Sequence, residues 1–175
     1  MKTCKTKTKL TTHRLFIAAF ASIENYKMLK DELDPFFEGK WTKEKNLHMT
    51  FKFLGDVYNQ EIVIDKLKKL NYPKKQTVVF QKLRVFHGNI LCLRSSNKTL
   101  YKIQNQINDI LVGDFVKDKK FKPHITLMRV KKIKNTKYKE KFDYLRFTAN
   151  LNLKVYLVES VLNPDGVKYK IIREF

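Results

Sequence analysis

Two short stretches of the chain carry residues able to do acid–base chemistry at neutral pH: His48-Met49-Thr50 and His124-Ile125-Thr126. Side chains alternate across a strand. On a strand, His48 and Thr50 share one face, and Leu47, Met49, Phe51 and Phe53 share the other. The second stretch repeats the pattern, with His124 and Thr126 opposed to Ile125 and Leu127. The apolar set can enter a core, which leaves each histidine–hydroxyl pair facing a cleft. Histidine gives or takes a proton near neutrality. Two imidazoles on opposite sides of one phosphorus suit in-line displacement, one deprotonating water and the other protonating the departing oxygen. Threonine hydroxyls can donate to non-bridging phosphate oxygens, where charge builds in the transition state.

Zinc is the competing explanation for paired histidines. The chain has no His-Glu-x-x-His, no Cys-x-x-Cys and no nearby carboxylate cluster, so no metal or other cofactor is expected. A strained cyclic phosphate needs no metal for such a reaction, because its leaving group stays tethered nearby. His13, before a strand, and His87, in a turn, are not expected to take part.

The elements that must position these residues follow from periodicity and turn chemistry. Strands are expected over 14–20, 47–54, 76–86, 89–94, 121–130, 151–161 and 167–174. Helices are expected where Ile23, Tyr26, Leu29 and Leu33 recur after a cap at Ser22; over Ile62, Val63, Leu67 and Leu70; and from Asn97 through Leu100, Ile103, Ile107, Ile110 and Leu111 to Gly113. His87-Gly88 and Asn163-Pro164-Asp165-Gly166 read as turns, and 131–141 as a lysine-rich loop. The order predicts an α+β fold, antiparallel sheets with helices on the outside. A lysine-rich approach precedes each His-x-Thr strand, which suggests two similar lobes. Residues 1–12, polar and basic, read as a flexible tail, and 13–175 as a single domain.

The formal net charge is +20. A domain this basic needs an anionic partner or strong screening. Nucleic acid is the first reading, an anionic membrane surface the second, and a lysine-rich overall composition the third. No apolar run approaches the roughly 20 residues that span a bilayer, and the N-terminal segment lacks the apolar stretch of a secretory signal. A cytoplasmic protein is expected. Of two cysteines, Cys4 falls in the tail, and Cys92 is read as a small buried hydrophobe.

The sequence resembles the bacterial and archaeal LigT-like branch of the 2H phosphoesterases, known as RNA 2',3'-cyclic phosphodiesterases and historically as 2'-5' RNA ligases. The resemblance runs from Arg14 to Phe175. It rests on Arg14-Leu15-Phe16-Ile17-Ala18, on the blocks 41–55 and 121–130 around the two motifs, and on an ending from Glu159 to Phe175. It implies a bilobal α+β fold, two antiparallel sheets facing a central cleft. It also implies that His48 is the proton donor to the leaving O3', that His124 is the proton acceptor acting on water, and that the product carries a 2'-phosphate. Spacing alone does not assign these two roles. Thr50 and Thr126 match phosphate-contacting threonines. Phe53 and Arg129, at equivalent places after their histidines, are candidates for base stacking and phosphate neutralisation. Simple alternation turns both away from the cleft, and a bulge would be needed to bring them round. Trp41 and Lys52 complete the candidates, Lys52 read as a solvated lysine on the His48 face. The expected partner is RNA with a 2',3'-cyclic phosphate end, or a small cyclic nucleotide, acted on by a monomer with no membrane role. Ligation in the same site, and an RNA-binding module without catalysis, are the competing functions.

Overall fold

The computed structural model describes residues 12–117, 120–164 and 166–175. Apart from Thr12, the basic stretch read as a tail lies outside the described residues, as does Asp165 of the Asn163–Gly166 turn.

The chain runs β1 (His13–Ile23), α1 (Tyr26–Leu33), β2 (Phe37–Trp41), a short 3-10 turn (Glu44–Asn46), β3 (His48–Val57) and α2 (Gln60–Leu67). It continues with β4 (Thr77–Phe80), β5 (Lys82–Phe86), β6 (Ile90–Arg94), α3 (Lys98–Ile110), β7 (His124–Ile133), α4 (Tyr138–Tyr144), β8 (Ala149–Asn152), β9 (Tyr156–Asn163) and β10 (Gly166–Glu174). The fold is α+β. Among the described residues every strand pairing is antiparallel and the ten strands form one hydrogen-bonded network, whose main path runs β10-β9-β1-β3-β7-β6-β5. β2 lies beside β7, and β8 bridges β1 and β4. Among the described residues no helix is long and apolar enough to cross a membrane.

The core forms where periodicity places it. β1 buries five consecutive residues, Leu15 to Ala19, as a strand covered on both faces does. Tyr26, Leu29 and Leu33 of α1 are buried, as are Leu100, Ile103 and Ile107 of α3. The side chain of Asn97 caps α3 by accepting from the Thr99 amide, 2.8 Å away, which satisfies an otherwise orphaned donor.

Several expectations need correction. β1 continues through Ser22 to Ile23, and α1 starts only after Asn25, so Ser22 is no cap. The expected strand 76–86 is two strands with different partners: β4 pairs with β8, and β5 with β6. The expected strand 151–161 divides likewise into β8 and β9. β2 was not foreseen. It holds Gly39 against the Arg129 carbonyl of β7, where any Cβ would clash. The lysine-rich stretch 131–141 is not all loop, because β7 runs to Ile133 and α4 begins at Tyr138. Tyr138 and Phe142, too few to register as a stripe, both pack on Phe37.

β3 and β7 are built alike. On β3 the neighbour β1 places Phe20 opposite His48 and Ala18 opposite Thr50; Phe51 is then skipped, so that Ile17 meets Lys52 and Phe16 meets Phe53. On β7 the neighbour β6 places Arg94 opposite His124 and Cys92 opposite Thr126; Leu127 is skipped, so that Leu91 meets Met128 and Ile90 meets Arg129. Each histidine strand therefore carries an extra residue three places after its histidine. Such a bulge resets the alternation. Two consecutive residues (51–52 and 127–128) face inward, and the next one returns to the histidine face.

Candidate active site

The two strands meet at a single paired position, Met49 opposite Ile125. Paired residues on neighbouring strands point to the same face, so these two side chains enter the core together, and both are fully buried. The residues flanking them, His48 and Thr50, His124 and Thr126, come out on the other face and are half-buried.

Each imidazole is fixed in the same way. Nδ1 of His48 lies 2.7 Å from the Asn46 carbonyl, and Nδ1 of His124 lies 2.7 Å from the Lys122 carbonyl. A carbonyl only accepts, so Nδ1 carries the hydrogen in both rings and Nε2 is the atom left to exchange a proton. Burial holds the His48 imidazole below its usual range, against the raising effect of the Asn46 carbonyl, and the charge of His124 adds to the lowering. Burial also lowers His124, opposed by the Lys122 carbonyl and reinforced by Arg94 and His87.

The surroundings of the two rings differ. His48 sits in an aromatic pocket, with ring centroids 5.0 Å from Tyr169, 5.3 Å from Phe16 and 6.3 Å from Phe20. His124 has one aromatic neighbour and several cations. Phe86 lies 5.2 Å away, with the Arg94 guanidinium 4.9 Å and the Lys122 ammonium 5.8 Å from the centroid of the Phe86 ring.

The bulges place Phe53 and Arg129 on the site face, where simple alternation would have turned them away. Phe53 is 74% exposed, and its ring lies 6.0 Å from Phe16, which also touches His48. Arg129 is exposed and close enough to Tyr169 for its charge to act on that phenol. The same bulge removes Lys52 from the His48 face. Lys52 is 3% exposed beneath α3, donating to Asn108 Oδ1 at 2.8 Å and to the Val116 carbonyl at 2.7 Å. It is a buried structural lysine, not a solvated one. Trp41 is also taken up structurally, its indole donating to Asp34 at 2.8 Å.

Of the remaining histidines, His13 pairs with Glu159 at 2.6 Å. His87 sits in its turn with a left-handed backbone and is one of the charges acting on His124. Burial pushes the Cys92 thiol up to about 12, which rules it out as a nucleophile at neutral pH. Among the described residues no three His, Cys, Asp or Glu side chains gather as a metal site.

Arg94, Phe86, Lys122 and Tyr169 were not singled out from sequence. Arg94 and Phe86 reach His124 through cross-strand pairing, which local spacing does not encode. Lys122 was visible two residues before His124, and the matching place two before His48 is Asn46.

No protein-family model matches the chain. It is 30% identical over 185 residues to the RNA 2',3'-cyclic phosphodiesterase of Methanocaldococcus jannaschii, spanning 93% of this chain and 99% of the relative. It is 28% identical to the protein of the same name from Aquifex aeolicus, spanning 93% and 96%. The structure matches that of E. coli LigT complexed with ATP at a TM-score of 0.70 and 17% identity, covering 94% and 98% of the two chains. The fold is therefore that of LigT. The chain belongs to the RNA 2',3'-cyclic phosphodiesterase family.

Proposed function

We propose that this enzyme hydrolyses 2',3'-cyclic phosphate ends of RNA to 2'-phosphomonoesters by two-histidine acid–base catalysis, within one bilobal unit over 13–175 whose two halves face a common cleft. Like its relatives in name, it would act as a phosphoric diester hydrolase. The observation that carries the mechanism is the repeated mounting of His48 and His124. Both have Nδ1 tied to a carbonyl two residues earlier, both leave Nε2 free on one face, and both stand beside a threonine hydroxyl.

The cyclic phosphorus lies between the two Nε2 atoms. His124 takes a proton from water as the water oxygen attacks phosphorus. The bond from phosphorus to O3' breaks, and His48 delivers its Nε2 proton to O3'. The product has a free 3'-hydroxyl and a 2'-phosphate. Thr50 and Thr126 donate to the non-bridging oxygens, where charge accumulates. Arg129 neutralises phosphate, and Phe53 offers a face on which a base can stack.

The test is incubation of the purified protein, with EDTA present, with an RNA ending in 2',3'-cyclic phosphate, followed by identification of the terminus. A 2'-phosphate is expected. A 3'-phosphate, or activity that disappears with EDTA and returns with zinc or manganese, would reject the mechanism.

A further inference from the structure

The near-symmetry of the two histidine strands is broken at one pair of places. Opposite His48 stands Phe20; opposite His124 stands Arg94. Arg94 lies with its guanidinium against the Phe86 ring, which itself contacts His124. Its Nε is buried and makes no hydrogen bond within the protein. Lys82 stands opposite Arg94 in the ladder between β5 and β6, and Lys122 reaches the same Phe86 ring. Among the described residues none of these three cations is paired with a carboxylate. Like charges directly opposite one another are destabilising in a sheet, and a buried donor left without a partner is costly. The like-charge cost is relieved when an anion enters. The residue in the corresponding place opposite His48, Phe20, is aromatic and uncharged.

Resting on the proposed reaction, we infer that Arg94 is a further catalytic residue: its guanidinium binds a non-bridging oxygen of the cyclic phosphate on the His124 side of the site. A fixed positive charge beside His124 disfavours a second positive charge there. The groups facing His124 are Arg94 from β6, His87 from the turn before β6, Lys122 from the segment before β7, and His48 across the junction. Of these, Arg94 and Lys122 are permanently charged, and the Arg94 charge helps hold His124 below its usual range. His48 is surrounded by Phe16, Phe20 and Tyr169, and His124 is the cation acting on it.

The experiment is titration of His48 and His124 by NMR in wild type, Arg94→Gln and Arg94→Lys, alongside kcat and KM on an RNA ending in 2',3'-cyclic phosphate. Arg94→Gln should raise the His124 midpoint while His48 moves less. It should also lower kcat/KM by roughly 10- to 100-fold, the range for losing a charge-assisted hydrogen bond. Arg94→Lys keeps the charge, so the His124 midpoint should return to the wild-type value, with only part of the loss in kcat/KM. A His124 midpoint and kcat/KM unchanged in Arg94→Gln would overturn the inference. So would a larger rise at His48, or a midpoint displaced as far in Arg94→Lys as in Arg94→Gln. If Arg94→Gln does not fold, Arg94→Lys decides: unchanged kcat/KM, or a displaced His124 midpoint, rejects the role. Wild-type protein that fails to open the cyclic end would reject the proposed function itself, a separate outcome.

Discussion

Met49 faces Ile125 across the β3–β7 junction, and among the described residues this is the one pair through which the two histidine strands are laddered. In this antiparallel register His48 lies across from Thr126 and Thr50 across from His124, so each histidine is one residue from the crossing. Pairing at the residue just after each histidine keeps both imidazoles at the crossing. Distances along the chain are irrelevant to this. The site is set by one point of contact and by two rings tied down through Nδ1.

His48→Ala and His124→Ala should each cost roughly 10²- to 10⁴-fold in turnover, the usual loss on removing a general acid or base. Both rings are half-buried on the site face rather than fully buried, so far-UV circular dichroism of both variants should match wild type. Full activity in either folded variant would rule out the two-histidine mechanism.

Both rings are held below their usual range by burial, and this has a consequence for stability. An unfolded histidine titrates near 6.5, and the folded pair titrates lower. The unfolded chain therefore binds protons first as pH falls. Stability contributed by the neutral rings is whole above about 6.5 and declines as acid drives the unfolded chain to protonate. Tm should fall between pH 7 and pH 5, and the decline should be shallower in the double variant His48→Ala/His124→Ala. A decline of equal slope in both proteins would locate the acid sensitivity elsewhere.

The sequence made the two His-x-Thr strands legible because their information is local: alternation, apolar flanks and a polar pair two residues apart. It also made α3 legible, since its stripe spans three turns and ends at Gly113. What local patterning cannot carry is which strand lies next to which. Arg94 looked like the end of an apolar strand until β6 was seen beside β7. β2 and α4 are short elements whose apolar residues make sense only against Phe37 and the end of β7. The split at Gln81 is a change of partner within an unbroken extended segment, which leaves no mark in periodicity. The bulges at Phe51 and Leu127 are the instructive case. Two consecutive apolar residues, Leu127 and Met128, follow Thr126, whereas Met49, Phe51 and Phe53 alternate with Thr50 and Lys52. The period of two is therefore broken in the sequence after Thr126 only, and the β3 bulge leaves no local mark, because Lys52 falls where alternation puts a solvated residue.

Lys52 gives a prediction that separates stability from activity. Its ammonium bridges Asn108 on α3 and the Val116 carbonyl. Lys52→Ala strands those acceptors in a buried place, at a cost of about 1–3 kcal/mol. Urea unfolding should show that loss, while kcat/KM below the transition should stay within a few-fold of wild type. A large drop in kcat/KM with unchanged stability would return Lys52 to the active site.

The last prediction concerns substrate length. On the site face of the second half, Lys82 stands opposite Arg94 and Arg84 opposite Cys92, two strands away from His124 and Thr126. Lys82 and Arg84 are exposed, and with Arg146 they line a cavity of about 360 Å³ beyond β5. An RNA whose cyclic end sits between the histidines can lay its preceding phosphates along this row. A cyclic mononucleotide cannot reach it. Each phosphate neutralised on a single strand contributes roughly −0.7 to the slope of log affinity against log salt. The oligonucleotide should therefore lose affinity with salt much more steeply than the mononucleotide. The double variant Arg84→Gln/Arg146→Gln should flatten the oligonucleotide slope by roughly 0.7 to 1.4 and leave the mononucleotide KM unchanged. Stacking on Phe53 would add affinity with little salt dependence, so Phe53→Ala should weaken both substrates at every salt concentration. Equal, shallow slopes for long and short substrates would mean that the net charge of +20 is background composition, and that the enzyme handles short cyclic nucleotides as readily as RNA ends.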